Sequence, residues 1–179
     1  MQITRQGETL LVPAPGGYET YTFRSEAEAA ARAALMAEAL SWIGTPYANC
    51  GDVKGPGGAV DCAMLLTRCV IDTGLIAPFD PRPYPPQWHV HHDRELFIEF
   101  LTDRLGAHEI DAPRPGDIAV VKFHRTYAHG TIMLNSVEMV HAWSGYRMVA
   151  RTRRDEGQFL TALGVPRPVR YFDLWSVKA

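Results

Sequence analysis

The hydrophobic pattern changes period once, near Pro113, and that change limits the fold more than any other feature of the chain. Upstream, apolar residues recur at helical spacing; downstream they alternate in short runs separated by turn residues. Ser25-Glu26-Ala27-Glu28 reads as a capping box opening an alanine-rich helix. Leu35, Met36, Ala39, Leu40 and Ile43 fall on one of its faces, and Gly44 and Pro46 close it. A second helix is expected from about Cys62 to Thr73, stopped by Gly74. A third is expected over about 93–106, with Leu96, Phe97, Phe100, Leu101 and Leu105 in register. Strands are then expected at 118–123, 130–135, 138–143, 146–150 and 169–175. Helices followed by a strand meander imply an α+β fold, with N-terminal helices packed on an antiparallel β-sheet.

Two segments stand apart from this plan. Residues 1–24 read as two short strands around Pro13-Ala14-Pro15-Gly16-Gly17, either a hairpin appendage or a mobile arm preceding a main domain at 25–179. Pro78, Pro81, Pro83, Pro85 and Pro86 mark an extended surface connection.

The 179 residues suffice for one domain with a real core. A formal net charge of −2 gives no bulk positive field, which argues against nucleic acid or an anionic membrane as partner. No apolar run has the length of a membrane span. Met1 to Glu8 lack a basic-then-apolar leader pattern, so the chain is expected to be made in a cytoplasm without classical export. Three cysteines are an odd number and suggest no disulfide framework, and their spacings do not match zinc motifs. His89, His91 and His92 do not present a tetrahedral set from a regular element, so no metal and no other cofactor is expected.

The chemistry points to Cys62. It follows a glycine-rich loop and Asp61 at the start of an apolar helix, where free backbone N–H groups favour thiolate over thiol. His129 and His141 lie downstream in strand-like segments. A thiol on a helix start, facing imidazoles on a sheet, is the layout of a cysteine nucleophile with a base and a group that orients the base. Cys69 reads as a small buried apolar residue, and Cys50 sits in a loop with no base around it.

Trp42-Ile43-Gly44-Thr45-Pro46-Tyr47, Asp61-Cys62, Arg114-Pro115-Gly116-Asp117, Ala128-His129-Gly130 and Val140-His141-Ala142 occur in one order. That order resembles the NlpC-type cysteine peptidases, papain-like bacterial and phage enzymes that cut peptidoglycan stem peptides, over roughly residues 28–175. The proline-rich stretch with Trp88 and His91 is similar to phage-encoded members. The resemblance implies Cys62 as nucleophile, His129 as general base and His141 as the group fixing the His129 ring. It implies Tyr47 near the cysteine, binding the carbonyl or oxyanion, and Asp61 shaping the turn into the nucleophile helix. It also implies peptidoglycan stem peptides as substrate, cut after D-glutamate, and a place among other phage tail proteins in a virion.

Two departures bear on activity. Ala63-Met64 follow the cysteine where the family carries a small Ser-Gly pair, and Gly130 directly follows His129 where the family has one residue between. They keep two alternatives open: a tail or assembly module that kept the fold and lost the chemistry, and an amidase or acyltransferase acting on other amides or lipids.

Overall fold

The computed structural model of the protein describes residues 2–84 and 94–175. It is a mixed helix-and-sheet fold whose sheets are antiparallel. The chain opens with β1 (Thr4–Gln6), β2 (Thr9–Ala14) and β3 (Gly17–Thr22), a sheet of order β1-β2-β3. The expected hairpin forms as β2–β3, and it is packed on the main core. Leu10 and Val12, on one face of β2, are fully buried in the main core. Asn135 Nδ2 donates to Pro13 O at 2.9 Å, and Ser136 Oγ donates to Glu19 at 2.6 Å.

Helix α1 (Glu26–Ser41) starts where expected, and Ser25 accepts from the Glu28 amide at 3.1 Å. Glu28 does not complete the box. Its carboxylate holds Arg24 at 2.8 Å and Arg32 at 2.9 Å. Ile43, expected on the apolar face, lies past the helix end and is exposed, while Trp42 is buried. The ribbon β4 (Asp52–Val53) and β5 (Ala59–Val60) leads into helix α2 (Cys62–Asp72). Helix α3 (Leu96–Glu99) continues in a π-helical turn, Phe100–Arg104, so it is shorter than the expected 93–106.

The main sheet contains β6 (His108–Ile110), β7 (Ile118–Phe123), β8 (Thr126–Met133), β9 (Glu138–Trp143), β10 (Met148–Arg153) and β11 (Val169–Asp173). Their order is β10-β9-β8-β7-β11-β6. Strand alternation divides two cores. The helices pack on the face carrying Ile118, Val120, Ile132, Val140 and Ala142. The opposite face carries Ala119, Val121, Met133 and Met139 and is covered by Phe159 from a 3-10 turn, Gly157–Phe159. Gly130 is the contact point between α2 and the sheet. A Cβ there would lie 2.3 Å from Phe97 Cζ and 2.6 Å from Leu66 Cδ1, so only glycine lets the helices approach.

Candidate active site

Asp61 places the cysteine. It is the N-cap of α2 in extended conformation, and its Oδ1 accepts from the Met64 amide at 2.9 Å. Oδ2 accepts from the Cys50 amide at 2.6 Å, and the Tyr84 hydroxyl donates to the same carboxylate at 2.8 Å. The β4–β5 ribbon that delivers Asp61 closes tightly, because a Cβ on Gly58 would lie 2.0 Å from the Val53 carbonyl oxygen. Met64, the bulky residue after the nucleophile position, is buried in the main core and does not fill a cleft.

The sulfur sits where the sheet opens. Strands β8 and β9 pair only at Ile132↔Val140 and Met133↔Met139. Continued, the ladder would use the Gly130 amide at its next hydrogen-bonded rung, since bonded pairs alternate along antiparallel strands. Instead the Gly130 main chain lies close enough to Cys62 to favour its thiolate, as do the amides of Cys62 and Ala63 at the helix start. The thiol thus approaches the opening from the helix side.

The imidazoles come from the other side. His129 is adjacent to Gly130 and pairs with Val121, so its side chain enters the second core, beside Trp143, Phe123 and Phe159. His129 Nε2 and His141 Nδ1 are 2.9 Å apart, and His141 Nε2 lies 2.9 Å from Thr152 Oγ1. His129 uses Nε2 for His141. Its other ring nitrogen, Nδ1, is bonded to Cγ and is the one nearer the main chain. Cys62 thus approaches β8 at Gly130, the residue next to His129, from the side of the sheet opposite the imidazole.

The electrostatics differ from expectation. The helix-start amides do stabilise a thiolate, but burial outweighs them, and the Asp61 carboxylate adds repulsion. Together these push the Cys62 thiol up to about 12. The net direction favours thiol over thiolate at Cys62. Tyr47 lies beside this cluster: burial, then the nearby Cys62 and Asp61, push its phenol up, so it stays a hydrogen-bond donor. In this state it donates to Asn49 Oδ1 at 3.1 Å.

His141 is fully buried, and burial pushes its imidazole down to about 3. A folded-state value below the unfolded one means that the unfolded chain binds the proton more readily. Stability is therefore intact above about pH 6.5 and is lost toward pH 3, by about 1.4 kcal/mol per pH unit. Asp117, pushed up to about 6 by burial, acts in the opposite sense between pH 6 and 4. Urea unfolding of the protein and of His141→Asn separates the two. The wild-type advantage is expected to shrink by about 1.4 kcal/mol per unit from pH 6 to 4, and a pH-independent difference would contradict a neutral buried His141.

The structure sets the expected residues in two groups on opposite sides of the sheet, Cys62, Asp61 and Tyr47 at the α2 start and His129 with His141 in the second core, separated by the main chain at Gly130. Sequence reasoning missed Tyr84 and Thr152. Tyr84 lies within the proline-dense segment, where an aromatic among prolines was the available signal; Thr152 carried none, because a threonine in a strand is ordinary. Trp88 and the triplet His89, His91 and His92 lie outside the described residues. Cys69 is buried as expected, and among the described residues no group of His, Cys, Asp and Glu is arranged to hold a metal ion. No helix among the described residues is long and apolar enough to cross a membrane. No protein-family model matches the chain, and no curated protein matches it either.

Proposed function

We propose that the protein is a cysteine hydrolase with a papain-like core of the NlpC type, cutting amide bonds in peptidoglycan stem peptides. One observation carries the reading: a sulfur at a helix N-terminus, beside the main chain of the residue that follows a histidine, whose ring is held by a second histidine. In this reading Cys62 attacks the peptide carbonyl while its proton passes to His129 Nδ1. The amides of Cys62 and Ala63 face the developing oxyanion. The proton then leaves with the amine, and water hydrolyses the Cys62 thioester. Because Cys62 rests as a thiol, proton transfer accompanies attack. The substrate bond after D-glutamate, and a working place at a phage tail tip, belong to the same proposal.

The half-buried thiol, whose surroundings favour the protonated form, supports a second reading, an assembly module that kept the fold and lost the chemistry. Purified muropeptides decide between them. The protein is expected to release peptides with new α-amino ends, and Cys62→Ala is expected to release none. Equal release from both, or none from either, overturns the hydrolase.

A further inference from the structure

We propose that Thr152 is a positioning residue of the site: its hydroxyl accepts the Nε2 proton of His141 and thereby fixes His129 in the tautomer that can act as a base. The inference rests on the hydrolase reading for its role in turnover, but its structural core does not.

Thr152 on β10 and His141 on β9 are diagonal neighbours on one face, since Thr152 pairs with Met139 and Ala150 pairs with His141. Diagonal cross-strand positions are within reach of such side chains. The two contacts of His141, 2.9 Å to Thr152 Oγ1 and 2.9 Å to His129 Nε2, use both of its ring nitrogens. A neutral imidazole has one N–H and one lone pair. His141 must therefore donate at one nitrogen and accept at the other, which leaves two arrangements for the whole chain.

In the first, His141 Nε2–H donates to Thr152. His141 Nδ1 then accepts from His129 Nε2–H, and His129 Nδ1 carries the lone pair. In the second, the Thr152 hydroxyl donates to His141 Nε2. His141 Nδ1–H then donates to His129 Nε2, and the His129 proton sits on Nδ1, where it cannot receive one from Cys62. The arrangements also differ after proton transfer. The His129 imidazolium carries protons on both nitrogens. Only the first arrangement then offers it a lone pair on His141; the second sets N–H against N–H.

A hydroxyl can serve either way, so its surroundings decide. Thr152 is half-buried, whereas His141 is fully buried. The Thr152 proton can thus be given to solvent while its lone pair takes the His141 proton. Once His129 has taken up a second proton, only the first arrangement leaves no N–H facing an N–H between the two rings.

The test uses the full chain, Thr152→Val, which keeps shape and removes the acceptor, and Thr152→Ser, which keeps the hydroxyl. Imidazole 15N shifts of His141 and His129 are read with muropeptide kinetics. In the wild type and Thr152→Ser, His141 is expected to be protonated at Nε2. In Thr152→Val the proton is expected to redistribute to Nδ1. Turnover in Thr152→Val is expected to fall by about tenfold or more with KM unchanged, and Thr152→Ser to recover most of it. His141 protonated at Nδ1 in the wild type, or a tautomer and kcat unmoved by Thr152→Val, overturns the proposal. A wild type no more active than Cys62→Ala sinks the hydrolase alone, because the 15N shifts still report whether Thr152 sets the tautomer.

Discussion

Arg32→Met is expected to cost about 3–5 kcal/mol of stability, the cost of removing one partner from a buried ion pair. Arg32 and Asp117 are both wholly shielded from solvent and meet at 2.7 Å. The same guanidinium reaches Glu28 at 2.9 Å and the Pro115 carbonyl at 2.8 Å, and it lies over the Phe23 and Trp175 rings. It thus ties α1 to the turn that opens β7 and to the last described residue of the chain. Methionine fills much of the volume but leaves the Asp117 carboxylate with the Arg114 amide and no counter-charge. Even with Arg32 present, burial pushes Asp117 up to about 6. Without it the carboxyl is raised further and takes up a proton on folding at neutral pH. The loss is therefore expected to be largest above pH 7 and to shrink as pH falls toward the unfolded carboxylate range. Chemical denaturation of Arg32→Met at pH 8 and pH 5 measures this. Arg32→Met combined with Asp117→Leu is expected to recover part of the loss, since an absent charge needs no partner. A loss below 1 kcal/mol at pH 8 would contradict the buried pair as an organising contact.

Much of this arrangement is written in local pattern, and some of it is not. The Ser25 cap, the bounds of β7 and β9, and the Asp61-Cys62 helix start are legible because each depends on residues adjacent in sequence. Strand β8 begins at Thr126, not 130, because Tyr127 pairs with Lys122 across a bulge that has no turn residue to announce it. The short β6 is invisible because three residues carry no period, and only pairing with β11 makes them a strand. The docking of residues 1–24 depends on a core face that exists only after the helices are placed. The site follows the same division. Helix-start amides around Cys62 could be read from the sequence, but their effect on the thiol could not, because burial and the Asp61 charge are tertiary. Likewise the His129-Gly130 adjacency looked like a defect in sequence. In the fold it puts glycine under the helices and the imidazole on the opposite side, with the ladder opening between them.

His129→Ala is expected to lower kcat/KM on muropeptides by about 10²–10⁴-fold, the usual contribution of a positioned general base. The size follows from the resting charge state. With burial and the Asp61 charge pushing Cys62 up, little of the sulfur is ionised at pH 7. Direct attack by so scarce a thiolate is slow, and the imidazole removes the need for it by taking the proton during attack. The variant must rely on hydroxide or free thiolate. Its rate is therefore expected to rise with pH more steeply than that of the wild type between pH 7 and 10. His129→Gln, closer in volume, guards against loss through the hole left in the second core, where His129 packs on Trp143 at 4.9 Å between ring centroids. Iodoacetamide labelling of Cys62 in a Cys50→Ser background gives a readout that needs no substrate. Labelling of the wild type is expected to outpace that of both variants near neutral pH, and the curves are expected to converge as pH approaches 10. Variants that keep the wild-type rate and pH profile would remove His129 from the chemistry and leave the Cys62 sulfur to act without it.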